Sequence, residues 1–78
     1  MITIYLARSE YNQTLLPIYH IEITEGNAQL KEKYQEVAES IKGQLVNIVS
    51  SYRYEFAQKF GVKTSQIDFE IEDINMYN

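Results

Sequence analysis

The side chains best suited to chemistry lie in two short segments of the sequence. His20 and Glu22 are two residues apart, and Asp68 and Glu70 show the same spacing near the C-terminus. An imidazole grouped with carboxylates is a ligand set for zinc and similar divalent ions. One interpretation of the chain is therefore a small metal-dependent nuclease or hydrolase that uses His20, Glu22, Asp68 and Glu70.

The acidic residues near the C-terminus also indicate binding. Asp68, Glu70 and Glu72 alternate with isoleucine and phenylalanine. On an extended strand this spacing places carboxylates about 7 Å apart, close to the phosphate spacing of one nucleic-acid strand. Three interpretations are open: a solvated face, a docking surface for a basic protein, and a site for a divalent metal ion. The phosphate-like spacing adds a further hypothesis, a mimic of nucleic acid that occupies another protein's basic groove.

Elements of regular structure must position these side chains, and the sequence predicts four. Apolar and polar residues alternate over residues 2–7, 18–24 and 67–72, which is the pattern of half-buried strands. Between the second and third strands, apolar residues recur every three or four positions from Ala28 to Phe60. Asn27 is suited to an N-cap and Gly61 to a C-cap, so we expect one unbroken helix on the order of 50 Å long. The alternative is a break at Gly43, because "IKG" resembles a helix end, but no capping residue follows it to begin a second helix.

The order of elements predicts an α+β fold of ββαβ type. We expect a three-stranded, mainly antiparallel sheet with the long helix packed on one face. Like charges directly opposite each other on neighbouring strands are destabilising, so the strand of Glu22 should not lie beside the strand of Glu70. Strand one then lies in the middle, giving the strand order 2-1-3. The outward side chains of strand two are predicted to be His20 and Glu22, and its inward ones Tyr19, Ile21 and Ile23.

This sheet order weakens the metal interpretation. The strands that carry His20 and Asp68 would be separated by strand one, about 9 to 10 Å apart, which is too far for one shared ion. The chain has no cysteine and only three glycines, and it lacks a nucleophile elbow or phosphate loop. We therefore predict no catalytic residues, no metal and no cofactor.

The middle of the predicted helix indicates association. No residue from Gly43 to Tyr52 is charged, and the apolar residues there cover a wider arc than one sheet would bury. The opposite side carries small or neutral residues where another backbone could approach closely. We therefore expect a homodimer, because twofold dimers are the commonest oligomers. Its predicted interface comprises Gly43, Val46, Asn47, Val49, Ser50 and Tyr54.

Composition restricts the class of partner. The 78 residues form one expected domain, 1–78, with eleven acidic residues, seven basic residues and a net charge of −4. Binding to a phosphate backbone needs clustered Lys and Arg, so direct binding of nucleic acid is disfavoured. No uncharged run is long enough to span a membrane, and the N-terminus lacks signal-peptide features. The expected location is cytoplasmic.

Together these features predict a small acidic protein-binding module. It would act as an inhibitor, adaptor or accessory subunit by occluding a basic surface on another protein, in the manner of small inhibitors encoded by phages and mobile elements. The predicted contact residues are Tyr5, Glu22, Asp68, Glu70 and Glu72. Two alternatives are the metal-dependent hydrolase and a purely structural subunit of a larger assembly.

Overall fold

The residues that the structure describes form an α+β fold, with a mixed four-stranded sheet and two helices. The computed structural model describes residues 1–11, 13–50 and 52–74. Its strands are β1 (Ile2–Arg8), β2 (Leu15–Ile23), β3 (Leu45–Asn47) and β4 (Ile67–Asp73), and its helices are α1 (Ala28–Ile41) and α2 (Tyr52–Phe60). A short 3-10 turn, Thr64–Gln66, leads into β4.

The sheet has the order β3-β2-β1-β4. The three predicted strands are present in the predicted order, with β1 between β2 and β4. The expectation of a mainly antiparallel, three-stranded sheet is only partly confirmed. β4 runs parallel to β1, because the intervening helices form a crossover, and a fourth strand, β3, pairs antiparallel with the start of β2.

The single long helix over residues 28–60 was wrong. α1 ends at Ile41, and Gly43 adopts φ +89°, a conformation that residues other than glycine rarely take. The Gly43 N–H donates to the Ile18 carbonyl (2.8 Å), which directs the chain onto β2 as strand β3. The uncharged apolar segment therefore contains a short strand that buries Val46, and α2 begins only at Tyr52.

One face of the sheet and the inner faces of both helices form the core. Phe56 and Phe60 of α2 are the largest fully buried side chains, and Tyr34 of α1 packs edge-on against Phe60 with ring centroids 6.2 Å apart. The strands contribute a set of buried aliphatic residues, Ile2, Ile4, Leu6, Leu16, Ile18, Val46 and Ile67. Within the described residues, no helix has the length and apolar character to cross a membrane.

A β-bulge in β2 changes which side chains face the core. Tyr5 pairs with His20, but Leu6 pairs with Ile18, so Tyr19 is an extra residue opposite β1. Ile18 is buried, whereas Tyr19 is 39% exposed. The prediction that Tyr19 faces inward was wrong, because strict alternation through the strand does not allow for the extra residue.

Candidate functional site

The face of the sheet opposite the helices carries a cluster of aromatic and acidic side chains. Both helices pack on the other side, so no described element covers this face. We call it the outer face. Its residues, taken from the alternation of the four strands, are Thr3, Tyr5, Ala7, Leu15, Pro17, Tyr19, His20, Glu22, Leu45, Asn47, Asp68, Glu70 and Glu72.

Three aromatic rings meet at the centre of the outer face. The Tyr5 ring lies 6.2 Å from that of Tyr19 and 5.2 Å from that of His20, measured between centroids. The bulge makes this cluster possible, because it turns two consecutive residues of β2 to the same side. Sequence analysis identified Tyr5 and His20 but missed Tyr19.

Both tyrosine hydroxyls in the cluster donate to carboxylates. Tyr5 donates to Glu22 Oε2 on the neighbouring strand (3.4 Å). Tyr19 reaches across β1 and donates to Glu72 on β4. Ala7, the β1 residue in register with Glu72, is small enough to let the Tyr19 side chain pass. These bonds hold the two rings in place and link three strands.

The carboxylates alter the acidity of both phenols. The hydrogen bond to Glu72, together with desolvation, raises the pKa of Tyr19 to about 12. The pKa of Tyr5 is also raised, mainly by desolvation and then by the negative charge of Glu22. Both hydroxyls are therefore neutral hydrogen-bond donors at neutral pH.

The acidic side chains of the outer face have no basic partner in the described part of the chain. The one ion pair among the described residues joins Arg8 Nε to Asp73 Oδ1 (2.6 Å) at the end of the β1–β4 ladder. That contact raises the pKa of Arg8 and lowers the pKa of Asp73. No residue of the outer face is Lys or Arg, so the carboxylates of Glu22, Asp68, Glu70 and Glu72 give this face negative charge.

An apolar corner adjoins the aromatic cluster. Leu15 at the start of β2 is 47% exposed, and Leu45 of β3 is 56% exposed. Leu45 is in register with Pro17, so β3 extends the apolar surface away from the acidic strand β4. Sequence analysis missed this corner, because it assigned residues 45–47 to a helix.

The five residues predicted to contact a partner share one surface. Tyr5, Glu22, Asp68, Glu70 and Glu72 all lie on the outer face, and the four acidic residues are exposed. β1 separates Glu22 from the three acidic residues of β4, as expected from the sheet order. Tyr5 lies between the two groups.

The six residues predicted to form a dimer interface do not share a surface. Gly43 lies in a turn, Val46 is 2% exposed in the protein's own core, and Tyr54 lies on α2. Asn47 organises the following turn, where its side chain accepts from the Val49 N–H (3.1 Å) and its carbonyl accepts from Ser50 Oγ (3.0 Å). The helical stripe behind this prediction is therefore absent, and the homodimer stays a prediction without that surface.

The described residues contain no group of three or more His, Cys, Asp or Glu side chains placed to hold a metal ion. The histidine and carboxylates of the outer face are divided between β2 and β4. No family model, curated protein or solved structure matches the chain.

Proposed function

We propose that this protein binds a basic surface of another protein through its outer face and acts by covering that surface. It would serve as an inhibitor, an adaptor or an accessory subunit, and not as an enzyme. The observation that carries the proposal is the aromatic cluster of Tyr5, Tyr19 and His20, set among carboxylates that have no basic partner among the described residues.

The composition of the face suits a protein partner. Tyrosine is enriched among the residues that dominate binding energy, because it supplies a large rigid surface with a polar tip. The acidic residues of β2 and β4 flank the aromatic cluster, where complementary charge would speed association and select against acidic partners. The exposed Leu15 and Leu45 extend the contact with apolar surface.

Arginine side chains on the partner would satisfy both features of the face. A guanidinium group can stack on a tyrosine ring and donate paired hydrogen bonds to a carboxylate. On the outer face, the Tyr5 ring lies between Glu22 on β2 and Glu70 on β4, which is in register with it. We therefore propose an arginine-bearing partner surface centred on Tyr5.

The state of the tyrosines favours binding over catalysis. A phenol that acts as a nucleophile or general base needs a lowered pKa. Desolvation and then Glu22 instead raise the pKa of Tyr5, and the hydrogen bond to Glu72 raises the pKa of Tyr19, so both hydroxyls stay protonated. Protonated hydroxyls bonded to carboxylates give a fixed surface for recognition.

Affinity capture from the native host tests the proposal. The outer-face variants Tyr5→Ala and Glu70→Lys should lose the proteins that the parent chain retains. Glu55→Lys on α2 makes the same charge reversal on the helical side and should retain them. Equal capture by all variants would show that the outer face is not the binding surface.

The salt dependence of the affinity for the captured partner tests the role proposed for the carboxylates. We expect affinity to fall steeply as ionic strength rises, since exposed charges are screened over about 10 Å at 0.1 M salt. Reversing Asp68 and Glu70 together should slow association by about tenfold or more and change dissociation less. An affinity independent of salt would contradict the proposed role of the carboxylates.

A further inference from the structure

The second half of β2 is an open edge of the sheet. β3 pairs only with Leu15–Pro17, and the turn that precedes β3 bonds to Ile18 through Gly43 and Gln44. Beyond that point, no described strand lies beside residues 19–23 on the side away from β1. This stretch of five residues is about 17 Å long.

The backbone groups of two isoleucines point out from this edge. The Thr24 N–H donates to the Met1 carbonyl, so Thr24 faces β1. Backbone groups alternate in direction along an antiparallel strand, so those of Glu22 and His20 also face β1. The N–H and C=O groups of Ile21 and Ile23 therefore face away from the sheet, where an added strand would bond to them.

A groove of about 650 Å³ runs between this edge and α1. Ile21, Ile23 and Ala38 supply apolar surface, and both isoleucines are only partly buried. The remaining lining is polar and charged: His20, Glu22, Lys31, Glu32, Gln35, Glu36, Glu39 and Lys42. The groove is thus bounded by a strand edge on one side and a helix on the other, an arrangement that accepts an extended peptide.

The charge of the groove is negative. Four carboxylates and two lysines line it, and none of them forms an ion pair within the described part of the chain. An extended peptide sends alternate side chains to opposite faces. Apolar side chains on one face could pack on Ile21 and Ile23, while basic side chains on the other lie near Glu22.

A second copy of this chain fits the edge less well. Antiparallel twofold pairing of two β2 edges would bring two negatively charged grooves together, including Glu22 of both copies, and like charges oppose that pairing. β3 already shows that a single short strand can occupy this edge, since it pairs with the first part of β2.

We propose that an extended segment of a partner protein, with alternating apolar and basic residues, binds as an added strand beside residues 19–23. It would continue the line of β3 along the edge of β2. The added strand would lie on a surface separate from most of the outer face, so its binding does not depend on the function proposed above.

The test uses a capped seven-residue peptide of alternating lysine and valine, titrated into the full chain and followed by NMR. In the free protein, the amide protons of Ile21 and Ile23 should exchange with solvent faster than those of His20 and Glu22. Saturation with peptide should slow exchange of the two isoleucine amides by about tenfold or more, because they become hydrogen-bonded. Shifts confined to Asp68 and Glu70 would overturn the proposal.

Two controls separate strand addition from simple charge attraction. The same peptide with alternate amides N-methylated keeps its charge but cannot form the ladder, so its affinity should fall by about tenfold or more. Ile21→Pro should also abolish binding, whereas Ile21→Val should preserve it. Equal binding of the methylated peptide would refute strand addition, and this result does not require Ile21→Pro to fold.

Two further measurements complete the test. Glu70→Lys, which disrupts the outer face, should change peptide affinity by less than about threefold, because that face is mostly outside the groove. A failure of the peptide experiment can therefore be distinguished from a failure of the outer-face proposal. Sedimentation of the free protein as a dimer that Ile21→Pro dissociates would show that a second copy occupies the edge, which would also overturn the proposal.

Discussion

Tyr19 shows how one extra residue changes the chemistry of a surface. In a strand that alternates strictly back from Ile21, Tyr19 would face the core and Ile18 would face outward. The bulge instead turns Tyr19 outward, where its ring contacts Tyr5 and its hydroxyl donates to Glu72. A residue that the pattern assigns to the interior therefore becomes part of the candidate binding surface.

The titration of Tyr19 is a direct test of this contact. Glu72→Gln should lower the pKa of Tyr19 from about 12 toward the usual tyrosine value, because the hydrogen bond to a charged carboxylate is its largest cause. Phenolate absorbance at 295 nm, compared with the same titration of Tyr19→Phe, isolates this group. An unchanged midpoint in Glu72→Gln would mean that Tyr19 does not bond to Glu72.

The raised pKa also sets the direction of a stability change. The folded state binds the Tyr19 proton more tightly than the unfolded state, whose tyrosine pKa is about 10. The stabilisation is therefore fully present below about pH 10 and is lost as pH rises through about 12. In Tyr19→Phe, denaturant unfolding should lose this part of the alkaline decline, and an identical decline would contradict the assignment.

At the scale of elements, Gly43 separates α1 from β3. Its positive φ ends the helix and its N–H bonds to Ile18, which starts the pairing of β3 with β2. The apolar width of the segment from Gly43 to Tyr52 was interpreted as a helix buried on two sides. The apolar residues of this segment instead include a short strand, in which Val46 faces the core and Leu45 and Asn47 face outward.

Gly43→Ala should destabilise the protein through its backbone. No atom lies within 4 Å of the position that the new Cβ would occupy, so the cost is conformational and not a clash. We expect a loss of about 1–2 kcal/mol in the free energy of unfolding, measured with urea. Gly26→Ala is the matched control: Gly26 has equally open surroundings but no positive φ, and this variant should change stability by less than about 0.5 kcal/mol.

The sequence pattern correctly predicted the strands in which apolar and polar residues alternate without interruption. The alternation in β1 and β4 is such a pattern, and it correctly placed Tyr5, Asp68 and Glu70 on one face. The parallel direction of β4 and the bulge at Tyr19 depend on pairing between distant segments. The periodicity within one segment does not indicate which other segment it pairs with or in which direction. The β-branched residues of "LVNIV" were the available signal for β3, but the helical spacing around them obscured it.

At the scale of the whole molecule, α2 supplies much of the core. Phe56, Ala57 and Phe60 are each at most 2% exposed, and the Phe56 ring lies 5.9 Å from that of Phe69 on β4. Tyr52 also packs on Phe69, edge to face at 4.5 Å. One short helix thus anchors the C-terminal strand, which carries three of the four acidic residues of the outer face.

Phe56→Ala should therefore affect both stability and the outer face. Removing a buried phenylalanine costs about 3–5 kcal/mol, a large share of the 5–15 kcal/mol typical of a domain. We expect a large fall in the urea midpoint, with loss of near-ultraviolet dichroism. Tyr54→Ala, on the same helix but at a residue that is 60% exposed, serves as the control and should change the midpoint little. Similar effects of the two variants would contradict the assigned core.

The parallel pairing of β1 with β4 joins segments 65 residues apart, from Ile2 against Ile67 to Arg8 against Asp73. The central strand β1 can therefore pair with its second neighbour, β4, only after nearly all of the described chain has been synthesised. Contacts so distant in sequence slow folding, and until they form, the partly folded chain exposes apolar surface and is prone to aggregate. A nascent chain of this protein would keep one edge of β1 unpaired until β4 emerges from the ribosome, so its yield in cells should depend on chaperones that shield that edge.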